Sequence, residues 1–168
     1  RHFERSTAAH STLELNRESS SEIWHGFRVG RRAIVSNVSI KSDESRCKLI
    51  AKHDGYRYLS GHPLHTRSII FAQGDIEVID EIDQNSFVGK VRFHIHPGIK
   101  LVIAKTGISG SFLFPDGSEA IWKSDADQLS VENNEYAWEF GKKIPMKTLV
   151  LHQTKRNKSI FKVKWLCH

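Results

Sequence analysis

Cysteine is scarce: Cys47 and Cys167 are the two thiols in 168 residues, too few for the disulfide framework that holds small secreted scaffolds together. They also lack the C-x-x-C spacing of a zinc knuckle, so the redox compartment stays open. Proline is sparse too, with four residues dispersed along the chain. There is no Pro-rich linker, internal repeat or low-complexity tract. No apolar run approaches the roughly 20 residues of a membrane-spanning helix. A charged n-region followed by an apolar stretch is missing as well; the chain starts at Arg1, and any export signal is expected upstream. A Gly-rich phosphate loop, a G-x-S-x-G elbow and a Cys/His nucleophile pair are all absent. No window of helical length holds a 3.6-residue period with a cap at each end.

The composition that remains is globular, 39% hydrophobic and 26% charged. Net charge is +6 with histidines neutral, which makes polyanions natural partners, although on charge alone a solvated, mildly basic surface is the simpler reading. The main signal is period-2 alternation. Phe87, Gly89, Val91, Phe93 and Ile95 fall on one side of a strand, with Lys90, Arg92, His94 and His96 on the other. Phe161, Val163 and Trp165 alternate with Lys162 and Lys164, and Ile76, Val78 and Asp80 with Glu77, Ile79 and Glu81. Further short runs span Ala33–Lys41, Arg46–His53, His65–Ala72, Ile99–Lys105, Tyr136–Phe140 and Met146–His152. Asp54-Gly55, Gly74-Asp75, Pro97-Gly98, Pro115-Asp116-Gly117 and Asn133-Asn134 supply turn chemistry between them. This pattern predicts an all-β fold with two packed antiparallel sheets or a barrel, as one domain over residues 1–168. Residues 1–12 are polar and weakly patterned, an irregular segment before a first strand at Thr12–Leu15.

His94 and His96 share a strand face, as metal-binding histidines do in cupin-type barrels. The third ligand fails, because Pro97-Gly98-Ile99-Lys100 stands where a Glu is needed. His94 is therefore expected on the solvated face, with His96 closing the strand. His53, His62 and His65, with Tyr56, Arg57 and Tyr58, suit sugar binding by ring stacking and an Arg grip on carboxylate or sulfate. A loop packed by its own tyrosines is the simpler reading. Trp165 reads as core, and Trp24 as either a stacking platform or edge packing. The basic clusters Arg28–Arg32 and Lys155–Lys158 lack interleaved aromatics and read as solvated turns, so no nucleic-acid partner is expected.

Arg5-Ser6-Thr7-Ala8-Ala9-His10-Ser11-Thr12 resembles the R-S/G-T-x-x-H-N-T signature of bacterial heparinase II/III-like polysaccharide lyases. The similarity continues in register through Asn16-Arg17-Glu18-Ser19-Ser20-Ser21-Glu22-Ile23-Trp24, which looks like that family's D-G-x-D-Q-S-E-x-W stretch. Collinear matches follow at His53-Asp54-Gly55-Tyr56, Leu64-His65-Thr66-Arg67, Ile76–Asp80 and Arg92–Gly98. The resemblance implies an antiparallel β-sandwich that follows an upstream helical toroid domain. It also implies β-elimination on a uronic-acid-containing acidic polysaccharide, in the periplasm or outside the cell. Most acid and base groups would then lie on the toroid, so no catalytic residue is assigned here and the isolated chain is expected to be inert and poor in metal. By the same resemblance His10 is a zinc ligand, and Arg5 and His2 border the substrate cleft. Three departures bear on this: Ser11 replaces the family's Asn, and Ser19 and Ser20 its Asp and Gln. A non-catalytic carbohydrate-binding or structural β-sandwich is the alternative.

Overall fold

The structure, a computed structural model, describes residues 2–84, 88–154 and 156–166. Of the residues singled out above, Arg1, Phe87, Lys155 and Cys167 lie outside the described residues. Among the described residues, two short 3-10 turns, Phe3–Arg5 and Thr7–Ala9, lead into twelve strands. These are β1 (Leu13–Leu15), β2 (Val35–Ser42), β3 (Arg46–His53), β4 (His65–Ala72), β5 (Asp75–Ile82) and β6 (Val88–Ile95). They continue as β7 (Lys100–Ile103), β8 (Ser109–Leu113), β9 (Glu119–Ser124), β10 (Gln128–Glu139), β11 (Lys142–Thr154) and β12 (Lys158–Trp165).

Two open sheets form rather than a barrel. A four-stranded sheet runs β1-β6-β11-β10, and an eight-stranded sheet runs β2-β3-β4-β5-β12-β9-β8-β7. Every strand pairing is antiparallel. The core lies between the sheets. Leu13, Leu15, Val91, Ile95, Leu149 and Leu151 face Ile82, Phe112, Trp122 and Phe161. Burying each large apolar side chain contributes roughly 1.5–3 kcal/mol. Aromatic packing centres on Phe161, which stacks on Phe93 at 4.3 Å and on Trp122 at 5.9 Å. Trp165 is half-buried and stacks on Phe114.

Three sequence expectations are corrected. Asn133-Asn134 is not a turn but lies within β10, where the two residues pair in register with Lys147 and Met146. Their amides serve cross-strand bonds, Asn134 Nδ2 donating to Thr148 Oγ1 and Lys147 Nζ to Asn133 Oδ1. The chain reverses instead at Gly141, whose φ of 75° a side chain would resist. Strands β8 and β9 are not marked by the alternation; β8 is short and carries a glycine, Gly110, as its second residue. Finally, the second face of β6 is not solvated. Arg92 is 5% exposed and ion-pairs with Glu14 of β1 at 3.0 Å, and His94 is covered by the N-terminal segment.

Candidate functional site

The N-terminal segment, residues 2–12, which includes the signature, has little apolar content with which to bury itself. Polar bonds to the surrounding elements hold it in place. Thr7, buried, receives the Ser20 N–H on its Oγ1 at 2.8 Å and shares a hydroxyl contact with Ser20 at 3.1 Å. Its own N–H donates to Ser19 Oγ at 3.2 Å. Two of the three serines that depart from the family pattern thus hold Thr7 in place. Ser11 Oγ accepts the His94 N–H at 3.0 Å, while the Ser11 carbonyl accepts from Arg67 Nη1. Tyr56, fully buried, donates its hydroxyl to the Leu13 carbonyl at 2.6 Å, and burial pushes that phenol well above its ordinary pKa.

His94 lies beneath the segment. Its Nε2–H donates to the Ala8 carbonyl at 3.2 Å, and its Nδ1 faces the Thr148 hydroxyl at 2.8 Å, which in turn accepts from Asn134. Burial lowers its pKa, so the neutral imidazole is the form these bonds fit. His96 is exposed just past the end of β6 and accepts the Gly98 N–H at 3.1 Å, closing the strand.

The three residues singled out by resemblance occupy different settings. His10 is exposed where the second 3-10 turn ends. Arg5 spreads its guanidinium over the carbonyls of Trp24, Gly26 and Arg28, so it braces the 24–28 loop. His2 lines an open polar cleft of about 520 Å³ together with Arg17, Ser19, Glu22, Arg31 and Tyr58. In that cleft the Arg31 guanidinium stacks on the Tyr58 ring at 3.6 Å, and the Tyr58 hydroxyl donates to the Ser19 carbonyl at 3.1 Å. Trp24 is half-exposed beside it, its indole N–H bonded to Glu22. Arg17, Arg31, an imidazole and serine hydroxyls line this cleft beside the carboxylates of Glu18 and Glu22, and an arginine there can hold a carboxylate or sulfate. A second cleft, of about 390 Å³, lies where Phe3, Glu4 and Ala9 meet His94, Asn133 and Lys143.

Sequence reasoning missed a buried polar chain behind the segment. His53 Nδ1 accepts the Gly55 N–H at 3.1 Å, and His53 Nε2 meets His65 Nδ1 at 2.8 Å. His65 Nε2 meets Asp80 Oδ1 at 2.7 Å, and Arg67 grips both Asp80 oxygens at 2.8 Å. Burial opposes ionisation of Asp80, but the bond from His65 and the charge of Arg67 outweigh it and hold the carboxyl below its usual range. Burial, then His65, push the His53 imidazole down to about 4. The signal was in the pattern: Asp80 interrupts the apolar face of β5, and His65 and Arg67 stand two apart on β4. His62 stands apart from this chain, bonded to the Arg57 carbonyl.

Among the described residues no group of three or more His, Cys, Asp or Glu is placed to hold a metal ion. Both nitrogens of His94 are engaged by Ala8 and Thr148, so that imidazole is not free to join His10 as a ligand. The chain's described residues do not by themselves fit a zinc site, which needs several ligands held together.

Comparison with known proteins gives a consistent picture. No curated protein matches the chain. Among solved structures, the heparan sulfate lyase HepC from Pedobacter heparinus superposes with a TM-score of 0.78 at 20% identity, covering 100% of this chain and 26% of that one. A structure described as Heparinase III-BT4657 gene product gives 0.76 at 14% identity, covering 99% of this chain and 25% of its own. The chain therefore spans about a quarter of the length of each, and at these identities the likeness shows the fold. The model of the family described as "Heparinase II/III-like, C-terminal" matches residues 1–166, and the chain belongs to that family.

Proposed function

We propose that this chain is the C-terminal β-sandwich of a polysaccharide lyase that cleaves an acidic, uronic-acid-containing polysaccharide by β-elimination. The observation that carries this reading is the family match across residues 1–166. In such a reaction the proton at C5 is abstracted, the 4-O-glycosidic bond breaks and an unsaturated uronate remains. The C5 proton becomes acidic enough only when the adjacent carboxylate is neutralised, so donors aimed at that carboxylate supply much of the rate. The polar cleft of His2, Arg17 and Arg31 has groups of that kind. His2 enters this reading as a lining group, and Arg5 through the loop that it braces.

The acid and base belong to the rest of a longer protein, an upstream helical toroid domain against which this sandwich packs. The setting is periplasmic or extracellular, where such glycans are met. Zinc belongs to the longer protein as well: His10 supplies one imidazole and residues outside 1–168 the others.

The test uses the full-length protein with heparan sulfate, heparin and alginate, following the ultraviolet absorbance of the unsaturated product. Product from at least one polymer is expected, with His10→Ala lowering both zinc content and turnover. Saturable binding of these polymers with no product from any would replace this reading with that of a non-catalytic carbohydrate-binding module.

A further inference from the structure

The eight-stranded sheet has a second face, turned away from the core, and it carries a groove that the family's signature does not touch. The depression measures about 470 Å³, and its lining includes Arg46, Ile70, Ile121, Lys123, Lys162 and Lys164. Its origin is in the strand register. Lys41 pairs with Lys48, Lys48 with Ile70, Ile70 with Glu77, Glu77 with Lys162, and Lys162 with Lys123. Directly paired residues point to the same side of a sheet, so these six form one row across six adjacent strands. At the usual strand spacing that row is roughly 24 Å long.

Its charge is unusual. Two of the register pairs, Lys41–Lys48 and Lys162–Lys123, set like charges directly opposite each other, an arrangement that costs stability unless a counter-charge is present. Glu77 answers Lys162 at 3.0 Å. Among the described residues, Arg46, Lys48, Lys123 and Lys164 have no ion-pair partner. Ile70, 7% exposed, and Ile121, 46% exposed, give the groove an aliphatic floor. Trp122 is the one aromatic residue lining it and is fully buried, so no ring is available there to stack a nucleobase.

We propose that this outer groove is a second binding surface, separate from the clefts beside the N-terminal segment, for an anionic polysaccharide lying across the strands. Carboxylates or sulfates meet the lysines of the row together with Arg46 and Lys164 beside it, and the C–H faces of the sugar rings lie on Ile70 and Ile121. The ligand class is that of the lyase reading, but the groove holds the polymer without cleaving it.

The test compares the full-length protein with its Lys123→Glu/Lys164→Glu variant. Affinity for immobilised heparin is measured across a salt series, with thermal melting and turnover of a short oligosaccharide alongside. The expected result is an affinity loss of about tenfold or more and a shallower salt dependence, with melting and short-substrate turnover unchanged. Affinity within about twofold of the parent, or no heparin binding by the parent, overturns the proposal. So does single-stranded RNA that competes as well as heparin does. Should the double variant melt early, Lys123→Gln/Lys164→Gln takes its place with the same expectations. Failure of the lyase reading shows separately, as absence of product from parent and variant alike while the difference in binding persists.

Discussion

At the scale of single residues, the chain from His53 to Asp80 has only one arrangement of protons that satisfies every bond. The Gly55 N–H occupies His53 Nδ1, so the neutral ring carries its proton on Nε2 and donates to His65 Nδ1. His65 must then carry its own proton on Nε2, where it meets Asp80. Protonating His53 sets an N–H against the Gly55 N–H. Its folded pKa, pushed to about 4 from an ordinary 6.5, is a depressed one. The stability it contributes is therefore complete above pH 6.5 and is lost as pH falls through the window to about 4, a shift worth roughly 3 kcal/mol at most. The lowered Asp80 acts in the same direction at still lower pH. Urea midpoints taken between pH 7 and pH 4.5 should fall steeply for the parent. His53→Gln should flatten that slope while lowering stability at pH 7; an unchanged slope would show that His53 is not the group titrating.

At the scale of elements, close approach decided what patterning alone did not reveal. Strand β8 needs Gly110: a Cβ there would stand 2.0 Å from the Val102 carbonyl oxygen and 2.7 Å from the Trp122 ring. Glycine weakens strand propensity, which hides β8 from a search for alternation, yet here it lets β7, β8 and β9 pair beside a buried indole. Gly110→Ala should destabilise the fold by about 1–3 kcal/mol or more. The readouts are a lower melting temperature and faster amide exchange confined to β7 and β8; an unchanged melt would contradict the packing described. By contrast β3 and β4 have the bounds that the sequence marks, because each short apolar run is closed by turn residues, Asp54-Gly55 after β3 and Gly74-Asp75 after β4. The β10–β11 hairpin was harder to see: its Asn133-Asn134 carries turn-forming side chains that are spent across the strands.

At the scale of the whole molecule, the eight-stranded sheet is wider than the four-stranded sheet that covers it. The core cluster draws on β5, β7, β8, β9 and β12 but on none of β2, β3 and β4. On that open inner face Val35 is 60%, Ile40 64% and Phe71 44% exposed, an apolar strip of the kind that marks an interaction surface. The 168-residue chain on its own should bind a hydrophobic fluorescent dye, and Ile40→Lys/Phe71→Lys should abolish that signal without lowering the melting temperature. In the longer protein proposed above the signal should be small, and an equal signal there would show that the strip stays uncovered. The sequence by itself determined the all-β class, most of the strand positions and the signature segment with His10, because side-chain alternation and motif order are local properties. Only the tertiary structure decided which polar residues are buried, that Arg5 braces a loop, that His94 lies under the signature segment and that lysines from separate strands form one row. Those facts depend on register between residues far apart in the chain, and no local period records them.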